Sequence, residues 1–160
     1  MADSVDQTAC WVVSDPAHTA GTRGKHAHRS ALVDKESIME SATRVLIAED
    51  EAMIAILLTE IVEQLGHNVC DVAATEAEAI AMAMACQPGL IIIDAGLREG
   101  SGIAAMNTIL QHRFVPHVYV TGDKYLAQSL ARQAIVLEKP FFAWELSNAI
   151  AKALGTDAQA

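Results

Sequence analysis

From residue 44 onward, short aliphatic runs alternate with longer stretches whose apolar residues recur every three or four positions. Arg44-Val-Leu-Ile-Ala48 is too short for a stable helix and rich in branched side chains, so it reads as a buried strand. Glu51 to Leu65 carries Ile54, Leu57, Leu58, Ile61, Val62 and Leu65 at helical spacing, and Gly66 supplies a stop. Asn68 to Ala73 reads as a second strand. Thr75-Glu-Ala-Glu78 has the spacing of a capping box and opens an Ala-rich helix that runs to about Cys86, before Pro88-Gly89. Leu90-Ile-Ile-Ile93 is the clearest central strand. A loop follows, then a helix from about Gly102 to His112 and a strand at His117-Val-Tyr-Val120. Tyr125 to Arg132 predicts a short helix with Leu126 and Leu130 on one face. Ile135-Val-Leu137 is a fifth strand and Ala143 to Leu154 a last helix. Five strands alternating with five helices predict an α/β, doubly wound fold: a five-stranded parallel sheet covered on both faces through right-handed crossovers.

Composition agrees with a packed core. Apolar residues make up 52% and charged residues 19%, so disorder of the chain as a whole is excluded; at 4% aromatic, the core must be aliphatic. Residues 1–43 lack the periodicity and are expected to be a disordered extension, with 44–155 the folded domain and 156–160 a tail. Met39 is an alternative start, which leaves open whether residues 1–38 belong to the native protein. His18, His26 and His28 have no acidic or Cys partner at ligand spacing and read as solvated. With 20 acidic and 11 basic residues the net charge is −9, which argues against nucleic acid as a partner. The three cysteines, Cys10, Cys70 and Cys86, are odd in number and widely spaced. They suggest no disulfide framework; Cys70 and Cys86 read as small core residues, and a reducing cytoplasm is expected. No apolar run reaches the ~20 residues of a membrane span, and no basic-then-apolar start marks a secretory signal.

In folds of this kind ligands sit beyond the carboxyl ends of the strands. Here those ends present Glu49-Asp50-Glu51, Asp94, Thr121-Gly122 and, just after the fifth strand, Lys139-Pro140. Two like charges ~4 Å apart cost about 4 kcal/mol at an effective dielectric of 20. A hard divalent cation removes that cost, and carboxylates with water suit Mg²⁺. The Thr121 hydroxyl and Lys139 ammonium are then placed to bond phosphoryl oxygens.

This set of residues, in this order on four strand ends, resembles the receiver domain of two-component response regulators over roughly Arg44 to Leu154. The pattern Asp-x-x-Leu-x-x-x-x-Gly is met by Asp94, Leu97 and Gly102. The resemblance implies a flavodoxin-like sheet of order 2-1-3-4-5. It implies that Asp94 accepts a phosphoryl group from a histidine kinase or histidine phosphotransfer protein. It further implies that Asp50, Asp94 and the Gly96 carbonyl hold Mg²⁺, with Glu49 acting through water. Thr121 and Lys139 would form the switch pair, and the Lys139-Pro140 bond would be cis. The fourth helix and fifth strand would form the face that binds an unknown downstream protein or a second copy as a homodimer. Val118-Tyr-Val-Thr-Gly122 resembles an alphaproteobacterial subgroup of single-domain receivers, and the six residues after Leu154 predict a stand-alone regulator.

Several positions depart from the family pattern. Arg98 stands where proline is common. Leu137 replaces the aromatic usually found two residues before the lysine, and the spacing from Thr121 to Lys139 is short, which predicts a short or irregular fourth helix. Asp50 has an alternative role in capping the first helix. Gly96 and Asp123 occupy places that influence phosphoryl loss in the family. Met53, Met82, Met84 and Met106 are expected as core filler, and Phe141, Phe142 and Trp144 as anchors of the last helix, with Trp144 alternatively facing a partner. A phosphate sink or phosphorelay shuttle without its own effector is an alternative within signalling. A self-contained aspartyl-phosphate phosphatase of the haloacid dehalogenase type is disfavoured, because Glu49-Asp50-Glu51 lacks that family's Asp-x-Asp. A degenerate, constitutively binding receiver is disfavoured by the full acidic set.

Overall fold

The computed structural model of the protein describes residues 42–156. The expectations for the N-terminal extension, its histidines, the start at Met39 and most of the C-terminal tail lie outside the described residues. The elements follow the predicted alternation: β1 (Arg44–Ala48), α1 (Ala52–Gln64), β2 (Asn68–Ala73), α2 (Glu76–Cys86), β3 (Leu90–Asp94), α3 (Gly102–His112), β4 (His117–Thr121), α4 (Lys124–Leu130), β5 (Ile135–Glu138) and α5 (Ala143–Leu154). All strand pairs are parallel, in the order β2-β1-β3-β4-β5. The chain order therefore reverses between β1 and β3, which opens a crevice at their carboxyl ends.

The sheet divides the core in two. Leu46, Ala48, Ile91, Ile93 and Tyr119 face α2 and α3, with Ala79, Ala83, Ala105, Met106 and Ile109 packed on them. The alternate residues Val45, Ile47, Leu90, Ile92, Val118 and Val120 meet α1 and α5 through Leu58, Ile61, Val62, Leu146 and Ile150. Side chains alternate across a strand, so burial on both faces requires an unbroken aliphatic run. All five residues of β3 are buried, as a central strand requires.

Helix ends follow local chemistry. Thr75 and Glu78 form the predicted capping box, with Thr75 Oγ1 accepting from the Glu78 amide at 3.2 Å. α3 is capped by Ser101 and α4 by Asp123. The N-cap of α1 is Glu51, with no side-chain cap bond, so Asp50 does not serve as its cap.

Three packing expectations need correction. Met106 is buried, but Met53 is 80% exposed and Met84 is at the surface, because they fall off the core-facing stripe of their helices. Phe142 and Trp144 are exposed, and only Phe141 of that trio packs against the core. Cys70 and Cys86 are half-buried rather than enclosed, and they meet each other. Among the described residues no helix is long and apolar enough to cross a membrane.

Candidate functional site

The acidic group is assembled by two adjacent strand ends, those of β1 and β3. Glu49 and Asp50 follow β1, and Glu49 is anchored by its amide to the Ala73 carbonyl at 2.9 Å. Asp94 ends β3, where the Ala95 amide bonds the Val120 carbonyl at 2.9 Å. One carboxylate oxygen from each of Glu49, Asp50 and Asp94 lies within 4.8 Å of the others. Glu49 and Asp94 are buried, whereas Asp50 is half-buried.

Lys139 reaches this group from the far side. Its amide bonds the Thr121 carbonyl at 2.8 Å, extending the β4–β5 pairing, and the Lys139-Pro140 bond is cis. The Lys139 Nζ donates to Asp94 Oδ2 at 2.7 Å and to Glu49 Oε2 at 2.8 Å, with Glu51 farther off at 3.9 Å. Burial alone would lower this ammonium's pKa. The hydrogen bonds to Asp94 and Glu49, with the attraction of both charges, outweigh it and hold Lys139 above 10.5. Burial also dominates at Glu49 and raises its carboxyl above 4.5, despite the opposing bonds from Lys139 and the Glu51 amide.

The remaining predicted residues sit around this pair. Gly96 touches Asp94 through its N–H, which donates to Oδ1 at 2.8 Å. Thr121 is buried one position beyond Val120, the register partner of Asp94, and its Oγ1 accepts from the Asp123 amide at 3.1 Å. The structure thus brings Glu49, Asp50, Asp94 and Lys139 into mutual reach. Thr121 stands on the neighbouring strand end, bonded to the loop that leads into α4. Asp123 spends its carboxylate on the amides of Tyr125 and Leu126.

Two contributors were not anticipated from the sequence. Arg98, 73% exposed, places Nε 3.4 Å from Asp50 Oδ2. Its position in place of a common proline was visible, but its partner was not. Glu76 accepts from the Ser101 amide at 2.8 Å, tying α2 to the loop after Asp94. The glycine of the Asp94–Gly102 pattern has a steric cause: a Cβ on Gly102 would overlap the Asp94 carbonyl and the Ile93 side chain.

The half-buried Lys139 and the exposed Arg98 supply two positive charges against three carboxylates, so the group retains negative charge. Hard oxygen donors in this compact arrangement fit a single small divalent cation. Both Asp94 oxygens already accept one hydrogen bond, yet each keeps a second lone-pair direction. A cleft of about 410 Å³ opens beside Glu49 and Asp50, between α1 and β2. Its walls are mostly apolar (Ala52, Ala55, Ile56, Val72, Ala74), with Thr59 and Glu60 as the polar residues beyond the acidic group itself.

Comparison with known proteins agrees with this geometry. Residues 45–151 match the response regulator receiver domain family. The phyllosphere-induced regulator PhyR of Methylorubrum extorquens is 39% identical over 124 residues, 75% of this chain and 46% of that protein. The transcriptional regulatory protein PdtaR of Mycobacterium tuberculosis is 34% identical over 113 residues, 67% of this chain and 54% of that one. The chain therefore spans about half the length of these curated relatives. Among solved structures, the receiver domain of Erythrobacter litoralis PhyR superposes with a TM-score of 0.66 at 31% identity, covering 74% of this chain and 95% of that domain. The response regulator PhyR from Brucella abortus gives 0.67 at 30% identity, covering 79% and 54%.

Proposed function

Because the chain belongs to the response regulator receiver domain family, we propose that Asp94 accepts a phosphoryl group from a histidine kinase or phosphotransfer protein. The observation that carries the reading is the Lys139 ammonium, 2.7 Å from Asp94 Oδ2, beside two further carboxylates on one rim. An Asp94 oxygen attacks phosphorus in line, the P–N bond to the donor histidine breaks, and an acyl phosphate forms. Glu49, Asp50, Asp94 and the Gly96 carbonyl are the groups that would hold Mg²⁺. When bound, Mg²⁺ supplies charge neutralisation on the phosphoryl oxygens. Lys139 contributes a second positive charge and orients the attacking carboxylate.

Phosphorylation replaces one negative charge with about two. The Thr121 hydroxyl, now accepting from the Asp123 amide, stands one residue beyond the register partner of Asp94 and is the β4 hydroxyl that would bond the new group. Its turn toward a phosphoryl oxygen would release that amide and shift the start of α4. Thr121 and the 122–124 loop would then carry the switch. The surface of α4 and β5 then changes what it binds, whether a target protein or a second copy of the chain. The folded receiver is taken as residues 44–155, acting in the cytoplasm.

The decisive test is labelling with a phosphodonor such as acetyl phosphate in the presence of Mg²⁺. Asp94→Asn is expected to abolish an acid-stable, alkali-labile label; persistent labelling would refute the assignment. Pull-downs with phosphorylated and unmodified protein then address the output. Different partners in the two states support a switch, and identical ones point to a phosphate sink.

A further inference from the structure

The half-buried thiols of Cys70 and Cys86 lie sixteen positions apart in sequence, and their sulfurs are 2.6 Å apart. Two local features bring them together. Val45 pairs with Val69 but Leu46 with Asp71, so Cys70 is the extra residue of an irregularity in the edge strand β2. Such a bulge frees a residue from the ladder and re-aims it. Cys70 packs against the core on the α2 side of the sheet. Cys86 is the last residue of α2, and Gln87 ends the helix in a left-handed conformation, φ 46°. Neither sulfur is used by the acidic site on the opposite rim.

We propose that Cys70 and Cys86 are a thiol-oxidation site, forming a reversible intrachain disulfide when the protein meets a hydroperoxide. One sulfur attacks a peroxide oxygen; the O–O bond breaks, leaving a sulfenic acid and one water from hydrogen peroxide. The second thiol then displaces the sulfenic oxygen as a second water, and the S–S bond forms. In sum, two thiols lose two protons and two electrons and the peroxide is reduced to two waters. Small dithiols reverse the reaction by exchange. The sulfurs already face each other, so the second step needs only a side-chain adjustment. The Cys70 thiol is pushed up to about 12 by burial and by the Cys86 sulfur beside it. Burial therefore disfavours the Cys70 thiolate, which slows attack by that sulfur.

The test uses the full chain, treated with hydrogen peroxide, denatured and alkylated with N-ethylmaleimide. Three alkylations are expected before treatment, one for each cysteine, and one afterwards. Cleavage after glutamate, at Glu76 and Glu78, separates the two residues, so the bond appears as two joined fragments that dithiothreitol parts. The oxidised form should melt several degrees higher, because the closed loop restricts the unfolded chain. Cys10→Ser should retain the joined fragments and Cys86→Ser should lose them. Three alkylations after treatment, sulfinic acids without joined fragments, or a bond to Cys10 would overturn the proposal.

Discussion

Lys139 stands between two buried carboxylates, and the sign of its contribution follows from its raised pKa. A lysine that binds its proton more tightly when folded stabilises the protein fully below its unfolded value, 10.5. That stabilisation is lost as pH rises through the folded value. Urea midpoints measured from neutral to strongly alkaline pH should therefore fall beyond pH 10.5 in the natural protein, and this component of the fall should vanish in Lys139→Met. At neutral pH without metal, the same substitution should cost about 2 kcal/mol, by leaving Glu49 and Asp94 without their cation. Glu49 acts in the other direction: its raised carboxyl draws stability down as pH rises past 4.5. Gly102→Ala should cost about 3 kcal/mol in chemical denaturation, since its Cβ meets backbone that cannot move aside. The chemical types at these positions were legible, because carboxylates and a lysine at strand ends have few other reasons to cluster. Cys70 with Cys86 and Arg98 with Asp50 were not, because each pairing depends on tertiary placement. Met53 was misread because it lies nearly opposite Ala55 around α1.

At the scale of elements, α4 is the weakest cover on the sheet. It has seven residues, buries only Ala127, and depends on Asp123 to satisfy the Tyr125 and Leu126 amides. Asp123→Ala should cost about 1 kcal/mol of local stability. Amide exchange across 125–130 should then quicken about fivefold, with β3 protection unchanged. If exchange in α4 stays as slow as before, the cap is not what holds it. Short spacing between Thr121 and Lys139 made a short helix foreseeable, and the capping box was readable from Thr75 and Glu78. The β2 bulge was not: Asn68–Ala73 contains no glycine or proline to mark it. The tie from Glu76 to Ser101 escaped notice for a similar reason, since either residue alone looks like an ordinary helix start.

For the whole molecule, the metal binding proposed at the rim would couple folding to Mg²⁺. Mg²⁺ bound only by the folded state should add about 1.4 kcal/mol of stability when its free concentration is tenfold above Kd. Thermal melts with and without Mg²⁺ should show this gain, and Asp50→Asn should lose most of it; an equal gain in that variant would remove Asp50 from the proposed ligands. The strand alternation was legible because both faces of the sheet are covered, so its central strands must be apolar nearly throughout. The irregularities at its edge are not constrained in that way. The two-sided sheet has one more consequence. Along Leu90–Asp94 each side chain belongs to one of two cores, and the last to the rim, so losing a single residue there would swap the aliphatic residues between layers and withdraw the carboxylate from Lys139. The length of β3 is thus held by two independent demands at once.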